Sequence, residues 1–119
     1  MTNANVSAMI MVMARKSPFV LVYADEVKRH LRAIEVKYHS LIRLAVEAQL
    51  LHDPDVETRN RKPLKRPIVF GADWELRLGP ENRFRVFYQV NAESREVRVL
   101  AVGVKVRNRL FIGGEESEG

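Results

Sequence analysis

"DWELRLGPENRFRVFYQV", Asp73 to Val90, is the stretch that decides the fold. Its alternate positions are apolar: Trp74, Leu76 and Leu78, then Phe84, Val86 and Tyr88. That period of two marks a pair of strands with one face on a core. Pro80-Glu81-Asn82 reads as the connecting loop. Proline suits the first turn position, and asparagine accepts the left-handed backbone such loops need at their end. In this register Leu78 faces Phe84, Leu76 faces Val86 and Trp74 faces Tyr88. Arg77 then lies directly opposite Arg85 on the outer face. Directly opposed like charges destabilise a sheet, so something must compensate them. The candidates are a carboxylate of the hairpin itself, Glu75 or Glu81, or a bound anion.

Outward from the hairpin, "PFVLVYA" (Pro18–Ala24) is β-branched and aromatic and reads as a strand. Asp25 offers an N-cap for a helix carrying Val27, Leu31 and Ile34 at helical spacing. After a break at Tyr38–Ser40, a second helix puts Leu41, Leu44, Ala45, Ala48 and Leu51 on one stripe, and Pro54 stops it. Residues 53–67 are polar, basic and punctuated by prolines, and read as a loop. Strands follow at 73–79, 83–91 and 96–104. The implied class is α+β: an N-terminal strand and a two-helix hairpin packed on a small, largely antiparallel sheet.

The chain has 119 residues, 46% of them hydrophobic, enough for one domain with its own core. Residues 17–114 read as that domain, 1–16 as a disordered N-terminal extension and 115–119 as an acidic tail. The apolar run "AMIMVM" (Ala8–Met13) is too short for a signal-peptide core, and no window reaches membrane-span length. The lack of cysteine excludes disulfides and thiolate metal sites and fits a reducing, cytoplasmic compartment.

The net charge of +5 is unevenly spread. "RNRKPLKR" concentrates Arg59, Arg61, Lys62, Lys65 and Arg66 just ahead of the hairpin, while Lys105, Arg107 and Arg109 follow the last strand. Three basic segments that converge would attract a phosphate backbone. Tyr88, Phe87 and Phe111 are the aromatic candidates for stacking on bases; Tyr88 and Phe111 read first as core, and the register places only Phe87 on the outer face. His30, His39 and His52 have no metal-ligand spacing and read as surface or boundary residues. Neither a glycine-rich phosphate loop nor a Ser/His/Asp arrangement stands out, and no metal or cofactor is expected.

The order of elements, with "WELRLG…RFRVFYQV" and "VRVLAVGVKVRN", resembles the RelE/ParE superfamily of type II toxin–antitoxin toxins over Phe19 to Gly114. The resemblance implies a RelE-like domain neutralised by a cognate antitoxin. RelE-like members cut mRNA in the ribosomal A site without a metal: the RNA's 2′-hydroxyl attacks the adjacent phosphate, and cationic side chains stabilise the charge that builds there. It carries Arg85 onto the family's transition-state arginine. Arg77 falls on a catalytic lysine of the preceding strand, and Lys105 on a catalytic arginine of the last. Arg59, Arg61, Lys62, Lys65, Arg66 and Arg107 are then expected to grip RNA, with the ribosome and its bound mRNA as partners. Phe111 stands where RelE has a tyrosine that helps activate the hydroxyl; either Lys105 or Tyr88 then acts as base, the ribosome contributes, or the protein is not a nuclease of this kind. The superfamily also contains ParE-like toxins that act on DNA gyrase without chemistry of their own, and a relic that only binds antitoxin is a third reading.

Overall fold

The computed structural model describes residues 17–65 and 70–117. The expected extension at 1–16 and the site residue Arg66 lie outside them. In chain order the elements are β1 (Val20–Tyr23), α1 (Glu26–Arg32), a 3-10 turn (Val36–Tyr38), α2 (His39–Leu50), β2 (Arg61–Pro63), β3 (Trp74–Leu78), β4 (Phe84–Asn91), β5 (Glu96–Val106), β6 (Arg109–Ile112) and β7 (Glu115–Ser117). The sheet runs β2-β3-β4-β5-β6-β7 in antiparallel pairs, and β1 joins it parallel to β5. The expected α+β architecture, an N-terminal strand and two helices on a largely antiparallel sheet, is therefore in place.

The hairpin register is the one its alternation dictates: Trp74 pairs with Tyr88, Leu76 with Val86, Arg77 with Arg85 and Leu78 with Phe84. Its inner face supplies Leu76, Leu78, Phe84, Val86 and Tyr88 to a core closed by Val27, Ile42, Val46 and Leu50 from the helices and by Ile34 from the segment between them. Glu81 and Asn82 both take left-handed backbone in the loop. Gly79 does so too, with φ 83°, and a β-carbon there would sit 2.6 Å from the Phe84 ring. Gly79→Ala therefore combines backbone strain with a clash, and we expect it to cost roughly 1–3 kcal/mol, read as a lower denaturation midpoint.

The helices correct three expectations. The break falls at residues 33–35, because the Val36–Tyr38 turn runs directly into α2. His39 holds this joint: its Nε2 donates to the carbonyls of Leu31 and Ile34, both at 2.8 Å. The buried stripe of α2 is Ile42, Val46 and Leu50, four residues apart, while Leu41 and Leu44 face outward. Asp25 makes no side-chain capping bond, since its own backbone is already helical.

His30 is fully buried, against its reading as a surface or boundary residue. On its far edge, β5 pairs with β1 through Val99 and with β6 from Gly103 onward. Val102 lies in the gap between them, and its N–H donates to His30 Nδ1 at 3.2 Å. A side chain thus closes the ladder where no strand reaches. Arg61–Pro63, expected to be loop, forms the edge strand β2, where proline is tolerated. Residues 115–117 of the expected tail pair with β6 as β7.

Candidate functional site

The outer face of the sheet is read most easily as rows across the strands. One row runs Lys62, Glu75, Phe87 and Ala101; the next runs Arg77, Arg85, Gly103 and Ile112. Lys105 lies on this face opposite Leu110, and its N–H donates to Arg83 O at 2.8 Å. The face is divided in two. Phe87, Ala101, Leu110 and Ile112 form a small second core with Ala72 and Leu64 from the segment before the hairpin. Phe87 is on the predicted face but only 1% exposed, so it offers no stacking surface. The other part is charged.

In that charged part the compensation the sequence demanded is Glu75. Its Oε1 accepts from Arg77 Nε at 2.8 Å and from Arg85 Nη1 at 3.4 Å. The carboxylate is almost wholly buried, whereas the Arg77 side chain is 40% exposed and that of Arg85 14%. Arg85 Nε also donates to Asn82 O at 3.1 Å, which fixes the guanidinium along the hairpin. One anion shared by two opposed cations removes most of their repulsion and leaves the trio with net positive charge. Gly103 lies opposite Arg85 with no room for a β-carbon, because Phe111 O, Ile112 and Leu110 would be about 3 Å away. Among the described residues, the Lys105 ammonium makes no hydrogen bond or ion pair.

The structure thus brings Arg77, Arg85, Lys105 and Lys62 onto one face. Lys62 is paired with Glu57 at 3.4 Å. Arg59 and Lys65 are exposed beside β2, and Arg107 is exposed in the left-handed β5–β6 turn, toward the other end of the sheet order. Arg61 goes elsewhere. Opposite Leu76, it donates to Gln49 O at 2.8 Å, to Gln49 Oε1 at 3.1 Å and to Val56 O at 3.0 Å, tying the end of α2 to the edge strand.

Sequence reasoning passed over Arg83. Its guanidinium lies 5.6 Å from the Tyr38 ring and 6.0 Å from the Phe84 ring, and it is exposed beside the Lys105 backbone. The signal was present in "RFR", where Arg83 and Arg85 flank a core phenylalanine.

Neither aromatic reaches the arginines. Phe111 pairs with Val104, which pairs with Phe84, so its ring is on the helix side of the sheet. Tyr88 is also on that side, with no exposure, and its hydroxyl donates to Pro54 O at 2.7 Å. Burial pushes the phenol far above its ordinary range, which removes Tyr88 as a base. Among the described residues, no three His, Asp or Glu side chains cluster as a metal site.

The fold has a solved counterpart. Over 74% of this chain and 92% of the other, it superposes with a TM-score of 0.60 and 20% identity on a chain of the toxin–antitoxin complex RelBE2 from Mycobacterium tuberculosis. No family model matches the chain, and no curated protein sequence does. At this identity the likeness establishes the shared fold. None of the described helices is long and apolar enough to cross a membrane.

Proposed function

We propose that the chain is the toxin of a type II toxin–antitoxin pair, acting in the cytoplasm as a ribosome-dependent mRNA endonuclease. The observation that carries this reading is the cluster on the outer face: Arg77 and Arg85 held side by side by Glu75, with Lys105 on the same face. Preorganised cations aimed at one place are what a transition state with growing phosphate charge requires. A sheet face carrying them suits the irregular backbone of a single RNA strand in a ribosomal cleft. The RelE-like fold supports the same reading.

The neutralising partner would be an antitoxin, as in the complex this fold matches. On the helix side an apolar groove of about 710 Å³, lined by Leu21, Val27, Leu31, Ile42 and Val46, offers such a partner a seat away from the arginines. The test is a purified translation system: added protein should halt synthesis and cut the message. Continued synthesis with intact mRNA would reject the reading.

The exposed cations near β2 would grip ribosomal RNA. Replacing Arg59, Lys62 and Lys65 together by alanine is expected to weaken ribosome association. It should also lower the salt dependence by roughly one unit for each phosphate no longer neutralised. Arg61 is left intact in this test because it holds α2. An unchanged slope would make the segment a solvated edge.

A second reading, a ParE-like toxin that inhibits gyrase by binding alone, is favoured by one observation. The position matching the RelE tyrosine holds a phenylalanine on the wrong side of the sheet.

A further inference from the structure

We propose that Arg83, braced by Tyr38, binds the RNA phosphate next to the one that is cut, a subsite that rests on the endonuclease reading. Three observations carry it. First, the rows of the outer face continue past Arg77 and Arg85. Lys105 N–H donates to Arg83 O at 2.8 Å, which extends the pairing of β4 and β5 one residue beyond Phe84 and Val104. Arg83 thus stands beside Lys105 in the next row, at most about 7 Å from Arg85 along the backbone. That span matches the step between neighbouring phosphates of an extended strand. Second, the guanidinium is held in place. It lies 5.6 Å from the Tyr38 ring, and its Nη1 donates to the Tyr38 hydroxyl at 3.4 Å. Tyr38 is fixed in turn by Phe84, their ring centroids 5.0 Å apart. A guanidinium laid against a ring keeps its other N–H groups for a bidentate contact with phosphate. Third, Arg83 is exposed and belongs to none of the ion pairs among the described residues. Arg77 and Arg85 are steadied by Glu75, whereas Arg83 is steadied by a neutral ring and keeps its full charge for a ligand.

A single strand leaving Arg77 and Arg85 along the outer face passes Lys105 and meets Arg83 where the sheet ends. No charge develops on this second phosphate during cleavage, so Arg83 holds it equally well before and during the reaction. Such uniform binding lowers the concentration needed for half-maximal rate and leaves the rate of the bound complex unchanged. It also sets register, because a strand gripped at two successive phosphates presents one linkage to Arg85. Tyr38 acts through Arg83 and is a positioning residue.

The experiment measures KM and kcat for cleavage on ribosomes programmed with messages that carry one uncharged methylphosphonate linkage. The linkage is placed in turn on either side of the cut, with 2′-deoxyribose at the nucleotide bearing it, and compared with an ordinary phosphate there. For wild type, one of the two neutral linkages should raise KM roughly tenfold, the worth of one charge-assisted contact, with kcat little changed. Arg83→Ala should raise KM by a similar factor on the ordinary message and be indifferent to that neutral linkage. Tyr38→Leu, which keeps apolar packing on Phe84, should give a smaller rise in KM. An unchanged KM for Arg83→Ala overturns the assignment. So does a raised KM that the neutral linkage raises again as much as in wild type, because Arg83 then acts on the fold alone. If Arg83→Ala melts below the assay temperature, Arg83→Gln replaces it, uncharged but able to bond the Tyr38 hydroxyl, and the same outcomes apply. Failure of wild type to cut any message removes the endonuclease reading itself, a separate result from cutting that ignores Arg83.

Discussion

Arg85→Ala is expected to abolish toxicity while leaving a folded protein that still binds ribosomes. The guanidinium is held at two points, on Glu75 and on Asn82 O, so it is aimed before substrate arrives. Charge on the phosphate increases as the 2′-oxygen attacks, and a donor fixed beside it contributes mainly in the transition state. Losing one such donor typically costs about a hundredfold to a thousandfold in rate. The effect on stability is the sum of small opposed terms. Two hydrogen bonds disappear, but the repulsion from Arg77 is relieved, and Arg77 keeps its own bond to Glu75. A net loss of about 1 kcal/mol follows, a melt lower by a few degrees. Melting and growth should be measured on the same variant. A stable Arg85→Ala that remains toxic would move the gyrase-type reading ahead.

His30→Ala should act on stability far more than on chemistry. It leaves the buried Val102 N–H without an acceptor and opens a cavity between α1 and β5. Together these cost about 2–4 kcal/mol, equivalent to a melt lowered by roughly 10 °C or more. The same histidine gives stability a pH dependence of known sign. Burial lowers its pKa from the ordinary 6.5; the neighbouring Arg29 lowers it further, and Glu26 partly opposes them. The unfolded chain therefore takes up a proton below pH 6.5 that the folded chain resists, and this contribution is lost as pH falls from 6.5 toward the folded pKa. Protonation would also turn Nδ1 from an acceptor into a second donor facing Val102 N–H. Denaturation midpoints across this range should fall with acid in wild type and change less in His30→Ala. Equal slopes would show that His30 is not the group responsible.

The hairpin was legible because a period of two and a short loop leave one register that turns Leu76, Leu78, Phe84, Val86 and Tyr88 to the core together. That register also placed Arg77 opposite Arg85 and named Glu75 among the possible compensating groups. What it left open was the choice between the carboxylate and an external anion, a matter of side-chain geometry. The outward stripe of α2 competed with the true one because Leu41 and Leu44 are as apolar as Ile42 and Val46. Only the sheet beneath decides which set turns inward. Phe87 was placed on its correct face, but the segment carrying Leu64 and Ala72 covers it, an arrangement that no local pattern announces. His30 reads as one more polar residue on a helix, since the gap it fills lies about seventy residues away in β5. β2 was hidden by its shortness and its proline. Each of these depends on neighbours distant in sequence, where periodicity carries no information.

Whether the arginines on the outer face act on RNA is decided by primer extension on mRNA from a purified translation system, with wild type and Arg85→Ala run side by side. Wild type should produce new 5′ ends at codons in the ribosomal A site, and Arg85→Ala should reduce them at least about a hundredfold. Intact message with wild type, or cuts that persist undiminished in Arg85→Ala, would contradict a catalytic role for these arginines.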